Sequence, residues 1–146
     1  MREHVLSTND LIYPVFVVDG KARSEAVPSM PGVFRYTVDR LLKHAETCAQ
    51  LGLPALALFP AIERRLKTPD GREATNAKGL IPRAVATLKK HFPDLGVITD
   101  AALDPYTTHG QDGVLDRRGY VLNDETVAIL RNQALVCAQA GVDVVA

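Results

Sequence analysis

Two hydrophobic patterns alternate along this chain. Short, continuous apolar runs are separated by longer segments in which apolar residues recur every three or four positions. The first pattern predicts buried β-strands, and the second predicts helices with one apolar face. The predicted order is strand, helix, strand, helix, strand, helix, strand. The four predicted strands are Leu11–Val18, Ala55–Phe59, Gly96–Leu103 and Val142–Ala146.

The three predicted helices carry recognisable end signals. Thr37 is a possible N-cap of the first helix, and Gly52 follows its last turn. Gly79 leads into the second helix, and Asn123 is predicted to cap the third. The apolar face of the third helix is predicted to consist of Val127, Leu130, Ala134, Cys137 and Ala138.

Short helix-to-strand turns and long strand-to-helix segments predict a parallel α/β sheet, since parallel neighbours need a crossover connection. We expect the first strand, which is apolar throughout, to be buried on both faces. The long segments should gather at the carboxyl ends of the strands, where function usually lies. The pattern alone leaves a doubly wound sheet and an eight-stranded barrel both open. The long segments are Asp19–Tyr36, Pro60–Lys78 and Asp104–Asn123.

Composition narrows the class of protein. The 146 residues suit a single domain, 1–146, and 17 basic residues balance 17 acidic ones. This balance, without long runs of either sign, argues against nucleic-acid and membrane partners. Because the N-terminus has no apolar signal segment, we expect a cytoplasmic protein. Cys48 and Cys137 are expected to be packing residues, because two distant cysteines suit neither a disulfide framework nor a zinc site.

The segment after the third predicted strand is the candidate for chemistry, because it combines carboxylates, hydroxyls and a histidine. Asp100 stands at the strand end and could act as an acid or base, or could accept backbone hydrogen bonds. Asp104 and Asp112 could contact a hard cation or order the loop. His109 is expected to be a hydrogen-bonded structural group, and Tyr106–Thr108 an anchor or lid of the loop.

Residues Val97–Gly113, VITDAALDPYTTHGQDG, resemble the metal-site loop of the porphobilinogen synthases, also called delta-aminolevulinic acid dehydratases. The resemblance extends from about Arg2 to Ala146. It implies a parallel (β/α)8 TIM barrel, of which this chain would supply about the first half, with four strands and three helices. The N-terminal arm and the second half would lie outside it. The other matching segments are Leu11–Val17, Pro28–Val33, Ala55–Pro60 and Gly119–Thr126.

The resemblance also implies an activity. The family condenses two molecules of 5-aminolevulinate to porphobilinogen with loss of two waters, in heme and tetrapyrrole biosynthesis. Its Schiff-base lysines would lie beyond Ala146, so we expect this chain alone to be inactive. The residue that matches Asp100 faces the active site near the amine of the second substrate.

For the cofactor and the assembly, the resemblance gives two further expectations. Cysteines of the zinc-dependent branch would match Ala102, Asp104 and Asp112, and this chain has none of them. It therefore resembles the zinc-independent branch, with Mg²⁺ as the usual cation and no thiolate zinc site. The family assembles as homo-octamers.

Two other functions remain possible from the sequence. One is a non-catalytic half-barrel that acts as an interaction module through its exposed edge strands. The other is a different metal-dependent α/β-barrel lyase or aldolase that acts on small carboxylates.

Overall fold

Four parallel strands form the centre of the fold, each paired with the one before it in the chain. The structure, a computed structural model, describes residues 3–146. Two further short strands extend the sheet on one side, giving the order β2-β3-β1-β4-β5-β6. The strands are β1 (Ile12–Val18), β2 (Ser24–Ala26), β3 (Phe34–Tyr36), β4 (Ala55–Ala61), β5 (Gly96–Thr99) and β6 (Val144–Val145).

Three helices cover one face of this sheet. They are α1 (Val38–Gln50), α2 (Leu80–His91) and α3 (Asn123–Gln139). The core between helices and sheet is formed by buried aliphatic side chains, among them Leu41, Leu58 and Leu88. Cys48 and Cys137 are buried free thiols in this core, which confirms that they pack as small hydrophobic residues. Among residues 3–146, none of the helices could cross a membrane.

The two faces of the sheet differ in burial. Val17 and Leu56 point into the helical layer and are fully buried, whereas Phe16 and Ala57 on the opposite face are only partly buried. The prediction that β1 is buried on both faces is therefore wrong for the described residues. An open sheet with helices on one side leaves the other face uncovered, and a continuous apolar run cannot reveal this.

The segment Asp19–Tyr36, predicted as a loop, contains β2 and β3. β3 pairs in parallel with the carboxyl end of β1, with Phe16 opposite Arg35, and β2 pairs antiparallel with β3. The Thr37 hydroxyl accepts a hydrogen bond from Arg23 N and donates one to Arg23 O, which ties this hairpin to the start of α1. Strands of three residues are too short to show a period-two pattern, so the sequence gives no sign of them.

The remaining element ends agree with the prediction only in part. Thr37 and Gly79 occupy the N-cap positions of α1 and α2, and Gly52 has a φ of 76°, a conformation that suits glycine after a helix. The third strand ends four residues earlier than predicted, at Thr99, and the fourth is confined to β6. Asn123 is the first residue of α3 rather than its cap; its amide donates a hydrogen bond to Asp124.

A single lysine joins α2 to the last two strands. Lys89 Nζ donates hydrogen bonds to Pro93 O at 2.7 Å and Leu95 O at 3.2 Å, and it pairs with Asp143 at 3.0 Å. Asp143 in turn accepts a hydrogen bond from Val97 N at 2.7 Å. This lysine is therefore engaged in holding the amino ends of β5 and β6 to α2.

Candidate active site

The three long segments gather at the carboxyl ends of the parallel strands, as the sequence predicts. A cavity of about 540 Å³ is lined by Arg23 from the first segment, Lys67 from the second and Pro105 from the third. The second and third segments also meet at a bridge between Thr68 and Thr107. Arg35, Glu25 and Glu63 bring further charges to this cavity, which the sequence did not single out because they are distant in the chain.

Asp100 lies directly after β5, at the edge of the uncovered face. The backbone there is paired beyond the strands: Ala101 N donates to Ala146 O, and Ala146 N donates to Thr99 O, both at 2.9 Å. Asp100 borders a cavity of about 230 Å³ whose lining includes Phe59 and Ile98. This places a carboxyl group beside apolar surface at a strand end.

The surroundings of Asp100 favour its protonated form. Partial burial, and then the nearby carboxylates of Asp104 and Asp112, raise the pKa of Asp100 above its usual value. Because these surroundings disfavour the ionised form, this carboxyl group takes up a proton more readily than an exposed aspartate does. The site thus has the electrostatic character of an acid/base group.

Asp112 orders the loop that follows. Its Oδ1 accepts a hydrogen bond from the backbone N–H of Leu103, whose side chain is 0% exposed. Asp112 itself lies nine residues later and is exposed, so the bond closes the loop back on its own start. The loop-ordering alternative for Asp112 therefore has a direct structural basis.

Replacing Asp112 by Ala is expected to lower the free energy of unfolding by about 1–3 kcal/mol, because the Leu103 N–H loses its partner. Asp112→Asn keeps an oxygen acceptor of the same geometry and should retain most of that stability. Urea unfolding of the two variants and the parent measures the difference. Equal stability of Asp112→Ala and the parent would show that this hydrogen bond does not hold the loop.

The carboxylates near Asp100 do not form a metal centre closed by protein side chains. Among residues 3–146, no group of three or more histidine, cysteine, aspartate or glutamate side chains comes together around a common point. Asp104 is exposed, and its side chain makes no hydrogen bond with the described residues. Any cation here would have to keep most of its water ligands, as Mg²⁺ commonly does.

His109 and its neighbours anchor the loop. His109 Nε2 lies 3.0 Å from Pro69 O, and its Nδ1 accepts a hydrogen bond from Gln111 N, so both ring nitrogens are used. Thr107 is buried and donates to Gln111 O at 2.9 Å. The hydrogen bonds thus give His109 a structural role, and Tyr106–Thr108 the role of an anchor.

Sequence reasoning missed Gln133, a buried glutamine on α3. The predicted apolar face of this helix is partly wrong: Val127 is 54% exposed, whereas Thr126, Gln133 and Cys137 form the buried face. Gln133 Nε2 donates to the carbonyl groups that follow β5. The available signal was its position four residues before Cys137, since residues so spaced share a helix face.

Comparison with known proteins gives consistent matches. The family model described as delta-aminolevulinic acid dehydratase matches residues 1–146. Curated proteins of that name from Bradyrhizobium diazoefficiens and Chlamydia pneumoniae are 49% and 46% identical over 100% of this chain, and the matches cover 41% and 44% of those proteins.

A solved structure agrees. The crystal structure of delta-aminolevulinic acid dehydratase (porphobilinogen synthase) from Toxoplasma gondii, in complex with the reaction product porphobilinogen, superposes with a TM-score of 0.96 at 42% identity. The match covers 99% of this chain and 41% of that one. The chain therefore spans about two fifths of the length of these relatives.

Proposed function

Because this chain belongs to the delta-aminolevulinic acid dehydratase family, we propose that it forms part of a porphobilinogen synthase. The fold class expected from the sequence is that of the family's TIM-barrel enzymes, of which the 146 residues match a part. The proposed reaction joins two 5-aminolevulinate molecules with loss of two waters. It is a lyase step in heme and tetrapyrrole biosynthesis.

The observation that carries this proposal is the position of Asp100. Its carboxyl group stands at a strand end, borders a cavity with Phe59 on the uncovered face, and has a raised pKa. An aspartate in this state can pair with the ammonium group of a substrate when ionised, and can take a proton from it or return one. We assign Asp100 this role toward the amine of the second substrate.

The covalent steps of the proposed reaction belong to residues outside these 146. A Schiff-base lysine needs a desolvated position from which its amine reaches a carbonyl carbon. Within residues 3–146, the lining of the cavity beside Asp100 contains no lysine. The contribution of this chain is therefore to place Asp100 and its loop against substrates held by the rest of the barrel.

For the cation we propose hydrated Mg²⁺ contacted by Asp104 and by the second oxygen of Asp112. Support comes from the hard carboxylate oxygens and from the absence of a thiolate at residues 102, 104 and 112. Among residues 3–146 the side chains do not close a site around this ion, so it would keep most of its water ligands. For the assembly we propose a homo-octamer, by analogy with the family.

The test is an assay of a completed enzyme, in which this chain replaces the matching part of the Bradyrhizobium diazoefficiens relative. That relative is 49% identical to the chain. We expect the chimeric enzyme to form porphobilinogen from 5-aminolevulinate, measured by the colour reaction of the pyrrole product. A folded, assembled chimera without product formation would contradict the proposal, provided that the parent relative is active in parallel.

A further inference from the structure

One side chain on α3 holds the strand end that carries Asp100. Gln133 Nε2 donates hydrogen bonds to Asp100 O at 3.3 Å and to Ala102 O at 3.1 Å. The two acceptors lie on either side of Ala101, so one amide group restrains the backbone at two positions. This restraint comes from a helix more than thirty residues later in the chain.

The location of this amide makes it hard to replace. Gln133 is 2% exposed, so water cannot readily supply the donors if the side chain is lost. Its Oε1 has no hydrogen-bond partner of normal geometry among residues 3–146, and the hydroxyl of Tyr106, which is itself buried, lies beside this side chain. A buried polar side chain is costly for stability unless it is hydrogen-bonded. The two hydrogen bonds of Gln133 Nε2 therefore offset part of the cost of burying this side chain.

The restraint acts on the residue that the proposed chemistry needs most. Asp100 is outside β5, so its orientation depends on the backbone pairing with Ala146 on one side and on Gln133 on the other. Fixing the peptide groups around Ala101 fixes the direction in which the Asp100 side chain leaves the backbone. Misplacement of a reacting group by about 1 Å can lower a rate about 10²-fold.

We propose that Gln133 is the positioning residue for Asp100, holding its carboxyl group toward the cavity through the carbonyl groups of Asp100 and Ala102. This proposal deepens the assignment of Asp100 as an acid/base group and rests on it. Gln133 does not reach the cavity lining itself. Its effect on catalysis would therefore be transmitted entirely through the backbone.

The test compares three substitutions in the completed enzyme. Gln133→Leu keeps a similar volume and removes both donors. Gln133→Glu keeps the shape and loses the amide donors, but its carboxyl group can donate one hydrogen bond when protonated. Leu41→Val removes one methylene from the core at α1, on a different helix from Gln133, and serves as the control for a general loss of stability.

We expect Gln133→Leu to lower kcat about 10²-fold with little change in KM, because binding groups are untouched while Asp100 is misplaced. Gln133→Glu should be impaired similarly at neutral pH. Its kcat relative to the parent should recover as the pH falls, since protonation restores a donor. Leu41→Val should keep the parental kcat. If Gln133→Leu keeps it too, or if the ratio for Gln133→Glu is independent of pH, Gln133 only fills space and the proposal fails.

A second measurement separates this proposal from the proposed function. In the completed enzyme, with carbon-13 introduced at the two carbonyl groups, the shifts of Asp100 and Ala102 report the hydrogen bonds without any need for activity. Both should change in Gln133→Leu and stay unchanged in Leu41→Val. An inactive completed parent with these shift changes would contradict the synthase activity alone. An active parent with unchanged shifts would contradict the positioning role alone.

Discussion

Replacing Asp100 by Asn in the completed enzyme is expected to lower turnover by about 10²–10⁴-fold, the usual effect of removing a group that transfers a proton. The variant keeps the size of the side chain but cannot exchange a proton near neutral pH. Stability should change little or rise slightly. Burial and the carboxylates of Asp104 and Asp112 make the ionised form of Asp100 unfavourable in the folded state, and a neutral amide avoids that cost.

The pH dependence of stability and of rate tests the raised pKa of Asp100. Because the folded pKa of Asp100 is raised, the parent gains stability relative to the unfolded chain as the pH falls through that pKa, and Asp100→Asn removes this gain. Asp104→Asn takes away one of the two neighbouring charges, so the acidic limb of the pH–rate profile should move to lower pH. Parental kinetics in Asp100→Asn would contradict the acid/base role, and parental kinetics with a lower melting temperature in Asp100→Ala would show that Asp100 is only a structural acceptor at the start of the loop.

The 146-residue chain by itself is expected to form no porphobilinogen and no reducible adduct with 5-aminolevulinate. Of its six lysines, Lys89 is bound to Asp143 and two carbonyl groups, and Lys67 lies in a cavity lined by several charged side chains. The other four are exposed. None therefore has the desolvated position beside Asp100 that Schiff-base chemistry requires.

Mass spectrometry after borohydride reduction in the presence of substrate measures this directly. The mass of the chain should be unchanged, whereas the full-length Bradyrhizobium diazoefficiens relative, treated identically, should gain one reduced adduct per active site. Stoichiometric labelling of any lysine in the 146 residues would overturn our placement of the covalent chemistry. Labelling at Lys67 in particular would move the reacting centre to the cavity of about 540 Å³.

The elements of this fold that can be predicted from the sequence are those whose buried residues recur at the spacing of a strand or a helix. β4 and α2 have uninterrupted patterns: β4 begins at Ala55 as predicted, and α2 begins directly after Gly79, which is predicted to lead into it. β2 and β3 escape prediction because their pairing depends on contact with β1 and with Thr37, not on a local pattern. The sequence also does not predict the uncovered face of the sheet, since apolar residues occur on both faces.

The residues of the candidate site also differ in whether the sequence reveals them. Asp100 is recognisable because it is a carboxylate at the carboxyl end of an apolar strand, where function usually lies. Gln133 is not, because the search for an apolar helix face passes over a polar residue whose partners are carbonyl groups of another segment. The buried face of α3 is defined by Thr126 and Gln133, whose hydrogen bonds to neighbouring backbone make their burial tolerable.

The order of the parallel strands has a consequence for how the protein is made. Each of β4, β5 and β6 pairs with the parallel strand before it, at a separation of about forty residues. A growing chain can therefore add one strand at a time to an edge that already exists, with a connecting segment of nearly constant closure entropy at each step. Synthesis proceeds from the N-terminus, and contacts of short sequence separation form fastest. The sheet can thus assemble on the ribosome in the order of translation, and the helix bearing Gln133 arrives only after the strand end that it fastens.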